Sequence, residues 1–264
     1  MSNKILYLMF VLCVTGNLWA ATINWTGGAS DNNWNNAANW DAVPAKVPGS
    51  ADIAALNGRA TMPIIAVGQT VGFYDLILGR TVVVPGTNPP AVITMNGGTF
   101  QVGRYFKMGQ DAGSSGTFDM YAGDVDISGT LMVAQRGMGT FNMYGGTVDV
   151  VTILPCESAT KQGTGTLNLY DGIINANVLT FYSSSTTTPL VNITQGTLVL
   201  LGDQSSAIET AKTAGFLKAY NGNGTIQYSV AGGYTTVTAI PEPATILLLG
   251  LGGLMFGKRR KQRI

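Results

Sequence analysis

A ten-residue phrase returns five times between residues 93 and 200. Ile93-Thr-Met-Asn-Gly-Gly98-Thr-Phe-Gln-Val102 is echoed at Phe118–Ile127, Phe141–Val150, Leu167–Ala176 and Val191–Leu200, with starts 25, 23, 26 and 24 residues apart. A near-constant period in this range marks a stacked repeat, in which one unit cannot bury its apolar face alone and its neighbours do so for it. Positions 1, 3, 8 and 10 of the phrase are almost all apolar, as in Phe118, Met120, Val125 and Ile127. Alternation of this kind puts side chains on one face of a strand. Position 6 is glycine in every copy (Gly98, Gly123, Gly146, Gly172 and Gly196), which reads as a corner needing positive φ between two short strands. A third apolar run follows in most copies, at Tyr105–Met108, Leu131–Val133, Ile153–Leu154 and Val178–Phe181, and then a polar Gly/Ser/Thr stretch. The expected fold is all-β: a parallel β-solenoid of three-strand coils, about 24 residues each. A sandwich or barrel of hairpins also accommodates short strands at this spacing, but has no need to keep one phase over five copies.

Composition narrows the chemistry. The chain has no histidine, which removes histidine-based triads, zinc sites and imidazole acid–base catalysis. Cys13 lies in the apolar leader, so Cys156 stands alone in the body and is read as a small buried hydrophobe. Of the 15 bases, Lys4, Lys258, Arg259, Arg260, Lys261 and Arg263 are terminal; of the 14 acids only Glu242 is, so the body carries about −4. That balance argues against nucleic acid as a partner. No cofactor or metal set is visible, and the glycine-rich nonapeptide of calcium-binding β-helices is absent.

The ends carry targeting signals. Lys4, an apolar run from Ile5 to Val14 and the small residues Ala20 and Ala21 form a signal peptide over residues 1–21, cut after one of those alanines. Residues 22–60 hold Ile23-Asn-Trp25, Trp34-Asn-Asn36, Asn39-Trp40-Asp41 and Val47-Pro48-Gly-Ser-Ala-Asp52. This resembles the opening of solenoid-bearing bacterial surface proteins, autotransporter passengers among them. Trp25, Trp34 and Trp40 are expected to cap the first coil, with sugar stacking as the alternative. The solenoid is placed at 61–202, with irregular early coils over 61–92. Residues 203–239 form a closing cap: a short helix with a capping box at Ser206 and Glu209, a stop at Gly215, and strands joined through Gly232-Gly233.

Residues 240–264 are the most specific segment. Pro241-Glu242-Pro243 precedes an apolar run from Ala244 to Gly257, with Leu247, Leu249, Leu251, Leu254 and Phe256, and then Lys258, Arg259, Arg260, Lys261 and Arg263. This resembles the PEP-CTERM sorting tail, whose parts are a Pro-Glu-Pro motif, a membrane span and a basic end. The resemblance implies recognition by exosortase, a membrane-bound processing enzyme, in bacteria that make extracellular polysaccharide. The bases hold their end in the cytoplasm, and the proline pair keeps the outer end extended.

The body offers two further features. Outward carboxylates gather at Asp119, Asp124, Asp126, Asp149 and Asp171, and Asp124 with Asp126 is a candidate glycosidase pair. Surface solvation is the plainer reading, because the pair is not kept from copy to copy. Tyr121, Tyr144 and Tyr170 share position 4, which makes them a ladder about 4.8 Å per coil. The expected function is an exported, non-enzymatic structural protein, sorted to the cell envelope or polysaccharide matrix of a biofilm. Its partners are exosortase, exopolysaccharide and, before processing, the membrane. The alternative is a β-helix that binds or degrades polysaccharide through its outward Asp residues.

Overall fold

The computed structural model describes residues 20–80, 90–158, 163–184 and 187–242. Residues 1–19, most of the expected signal peptide, and the tail from Pro243 onward lie outside them. The chain opens with β1 (Thr22–Asn24), β2 (Ile53–Leu56), β3 (Ile64–Ile65), β4 (Thr70–Leu78), β5 (Ala91–Met95) and β6 (Thr99–Met108). The repeat continues as β7 (Ser115–Met120), β8 (Asp124–Ala134), β9 (Met138–Met143), β10 (Thr147–Cys156), β11 (Thr164–Leu169), β12 (Ile173–Leu179), β13 (Thr188–Ile193) and β14 (Thr197–Leu201). It closes with α1 (Ser205–Thr213), β15 (Leu217–Ala219), β16 (Gly224–Ala231) and β17 (Tyr234–Pro241).

Strands alternate between two sheets. One runs β1-β2-β4-β6-β8-β10-β12-β14-β17-β16, the other β15-β13-β11-β9-β7-β5-β3. Pairing is parallel up to β14, so the body is a parallel β-solenoid of about six turns. The register follows the repeat phrase residue for residue. Ile93, Phe118, Phe141, Leu167 and Val191 are consecutive partners in one sheet, and Phe100, Val125, Val148, Ile174 and Leu198 in the other. Hydrophobic positions thus stack on their own kind, and a one-residue slip would turn each apolar set outward.

The second and third apolar runs of each coil join into one long strand that bends midway. In β8 an alternating stretch, Asp124–Ile127, is separated by Ser128 and Gly129 from a continuously buried one, Leu131–Ala134. The bend holds one residue more in β6 and β8 than in β4 and β10, which appears as register shifts at Phe73/Asp75 and Val150/Thr152. Residues 61–92, expected to be irregular, contain a regular coil: β4 pairs along β6, with Val71 opposite Phe100 and Phe73 opposite Val102.

Corner glycines stack as well. Gly98, Gly123, Gly146 and Gly172 have φ of 81°, 97°, 89° and 88°. A Cβ on Gly123 or Gly172 would lie 2.5 or 2.6 Å from the carbonyl oxygen of the glycine one coil below. Those carbonyls instead accept from the next strand, as Asp124 N–H to Gly98 O at 2.9 Å and Thr147 N–H to Gly123 O at 3.0 Å. Gly196 departs from the expectation: its φ is not in the left-handed region, and a Cβ there would collide with the Leu169 side chain. Close packing, not backbone conformation, requires that glycine.

An aromatic column threads the core. Trp25 packs edge-on against Trp40 at 5.1 Å, Trp40 against Trp34 at 4.8 Å, and Trp34 against Phe73 at 5.4 Å. It continues through Phe100 and Phe118 to Phe141 at 5.1–5.2 Å steps. All three tryptophans are buried, so none offers a face to a sugar. Asp52 anchors the neighbouring loop. Burial pushes its carboxyl up, but the Lys46 ammonium at 2.7 Å and the Gly49 N–H together hold it below the usual range.

At the far end α1 buries Ile208 and Ala211 against the last coil. The expected capping box is not formed. Gln204 is the N-cap, and Asp203 receives the Ser205 N–H and hydroxyl instead, which leaves Ser206 inside the first turn. Gly215, at φ 75°, ends the helix as expected. β17 then enters antiparallel beside β14, and β16 lies outside it.

Candidate functional site

The sorting motif grows straight out of this closing hairpin. Gly232 and Gly233, at φ 60° and 84°, reverse the chain from β16 into β17. β17 pairs with β16 from Ala231↔Tyr234 to Gly224↔Pro241. Pro241 is therefore the last residue of a strand, and the Glu242 N–H donates to the Asn223 carbonyl at 3.1 Å. The Glu242 side chain is exposed. No spacer separates the folded cap from the motif. Pro243, the apolar run at Ala244, Leu247, Leu249, Leu251, Leu254 and Phe256, and the bases Lys258, Arg259, Arg260, Lys261 and Arg263 lie outside the described residues. Among the described residues no helix is long and apolar enough to cross a membrane.

The tyrosine ladder is present and its geometry limits what it can do. Tyr121, Tyr144 and Tyr170 stack ring on ring, each step 4.8 Å with interplanar angles of 8° and 12°. Stacked rings occupy one another's faces, and a sugar stacks on a face, so this stripe offers solvent mainly ring edges and hydroxyls. Burial raises the Tyr144 phenol above its ordinary pKa, and Tyr170, Asp119 and Tyr121 add to the shift. Alongside runs an amide ladder: Asn168 donates to Asn142 and Asn142 to Asp119, both at 2.8 Å. Both ladders tie coil to coil.

The outward acids are arranged across coils. Asp124 and Asp126 share one strand, but Asp126 lies opposite Asp149 in the next, and Asp149 accepts from the Asn175 amide at 2.9 Å. Beside them the bend of the long strands leaves a trough of about 490 Å³, lined by Asp126, Ser128, Asp149, Asn175, Asn177 and Tyr234 among others. Among the described residues no group of three or more acidic or cysteine side chains is placed to hold a metal ion. Cys156 is buried, its thiol 3.3 Å from the Gly163 carbonyl.

A cluster that the repeat pattern did not suggest sits at the bend of the early coils. Arg104 makes two bonds to the buried Asp75 carboxylate, at 2.6 and 3.1 Å, and its guanidinium lies 4.6 Å from the ring centres of both Tyr74 and Tyr105. Asp75 also accepts from the Tyr105 N–H. The hydrogen bond to Asp75 is the main reason Arg104 holds its proton more tightly than usual. The buried Asp75 carboxylate is matched on both oxygens, so the cluster reads as a clasp between two coils.

No curated protein and no solved structure matches the chain, and nothing in the comparisons supports the likeness of residues 22–60 to autotransporter passengers. One family model does match, at residues 239–262: the PEP-CTERM protein-sorting motif, the recognition signal for exosortase processing. The chain is a β-solenoid that ends in this motif, which implies an exported protein with a membrane-anchored C-terminal sorting tail.

Proposed function

We propose that the protein is a non-enzymatic structural element of the cell envelope or extracellular polysaccharide matrix, delivered there by exosortase. The observation that carries this reading is that the sorting motif begins on the last strand that closes the repeat body. The absence of histidine and the pairing of Arg104 with the buried Asp75 accord with a scaffold role. In cells with exosortase, exported protein is expected to lack the residues after Pro243 by mass spectrometry. In cells without it, the full-length chain should accumulate in the membrane fraction. Mature protein that retains Ile264 in wild-type cells defeats the proposal.

The trough favours a second reading, a polysaccharide-binding or polysaccharide-cleaving module. Asp126, Asp149 and Asn175 present hydrogen-bonding groups at the spacing of the coils, about 4.8 Å. Neutral and acidic glycans tested against the exported protein separate the two readings. A scaffold shows neither retention nor turnover. Binding or cleavage that Asp126→Asn and Asp149→Asn abolish replaces it.

A further inference from the structure

The end of β17 has a strand on one side only. β17 meets β14 from Leu201↔Tyr234 to Leu198↔Val237, whereas it meets β16 as far as Pro241. From Thr238 on, the edge that faced β14 has no strand partner among the described residues. Alternation tells which groups lie along it. The Gly233 carbonyl accepts from Gly202 N–H, on the β14 side, so residues 235 and 237 turn their N–H and C=O that way and the even-numbered residues turn toward β16. Continuing the count places the N–H and C=O of Ala239 and the C=O of Pro241 on the open edge. The sorting motif begins at residue 239. The fold therefore frees one edge of the chain within two residues of where the motif starts.

We propose that this edge is a docking strand: the processing enzyme lays an extended segment of its own against Ala239–Pro241 and so adds a strand where β14 stops. The proposal rests on the sorting reading above. Extended peptides are commonly held by main-chain bonds to a sheet edge, with side-chain pockets adding selectivity. β16 already holds residues 238–241 extended, so the enzyme does not meet the ordering cost of a free tail. Pro241 lacks an N–H, so the row of donors ends at the motif itself. The apolar run starts three residues later, which keeps the docking strand within about 11 Å of the membrane at 3.3–3.6 Å per residue. A membrane-embedded enzyme is the partner that this position suits.

The test follows processing of the full chain in cells with and without exosortase. Ala239→Pro removes an N–H on the open edge and none of the bonds to β16. Loss of one such bond is expected to slow processing about three- to tenfold. The melting temperature of the purified variant's body should match that of the wild type, which separates this effect from misfolding. A six-residue Gly-Ser insertion after Thr238 detaches the motif from the hairpin and is also expected to slow processing. If the folded cap merely obstructs the enzyme, the insertion speeds processing instead. Exosortase-dependent processing that is unchanged by Ala239→Pro, or accelerated by the insertion, overturns the docking strand alone. Processing that persists without exosortase overturns the sorting reading and the docking strand with it.

Discussion

Replacing Gly139 with alanine is expected to destabilise the body by about 3 kcal/mol or more, near the upper end of overpacking costs. Gly116, Gly139 and Gly165 are consecutive partners at the start of three strands of the shorter sheet. Each passes beneath the end of a long strand. A Cβ on Gly139 would fall inside the Val133 carbonyl, one on Gly165 inside the Pro155 carbonyl, and one on Gly116 inside the Leu78 carbonyl. Backbone meets backbone at all three sites, so no side chain can swing away and the facing strands of the two sheets must part. Gly232→Ala is the control. Unlike Gly139 it has positive φ, but a Cβ there meets nothing within 4 Å, so only the backbone cost of about 1 kcal/mol applies. Urea denaturation of the two variants measures the difference. Equal midpoints would mean that the two sheets separate locally at little cost.

Phe118→Ala is expected to cost about 4 kcal/mol, the usual range for a buried phenylalanine. The ring is fully buried and lies 5.1–5.2 Å from Phe100, Phe106 and Phe141, so its removal breaks the aromatic column at midpoint. The effect on cooperativity is as telling as the midpoint. In a stack where each unit touches only its neighbours, a weak central interface lets the two halves unfold separately. The variant should therefore show a broader transition with a smaller denaturant slope. A single sharp transition, shifted but of unchanged slope, would indicate that the halves communicate by another route.

The register of the solenoid was legible in the sequence, because the phase of the phrase is the register: positions that align in the repeat are the positions that pair. The same phase also implied the ring stacking of Tyr121, Tyr144 and Tyr170. Other features escaped for identifiable reasons. The coil built on β3 and β4 has Gln69 where later copies have the corner glycine, and it precedes the next copy by a longer interval, so the periodic signal fades there. Gly116, Gly139 and Gly165 fall in the polar Gly/Ser/Thr stretch that follows the third apolar run. Their role depends on where the previous long strand ends, and that is a distance across the coil, not along it. The capping box failed because Asp203, three residues earlier, offers the first turn a charged acceptor. At the candidate site, Pro241 and Glu242 were evident as a motif. That the motif is the end of a strand was not, since proline usually argues against a strand. Here Pro241 sits where its missing N–H faces no neighbour, as edge positions permit.

The placing of Pro241 at the end of β17 has a mechanical consequence. Hydrogen bonds in the solenoid lie across its strands, so a force along the stack would open one rung after another. A pull on Glu242 directed along β17 acts differently. It loads the bonds to β16 and β14 together, in shear, and the hairpin must slide as a whole before any coil is lifted. Tension applied in that direction is borne first by the closing strand, and the repeat body is spared.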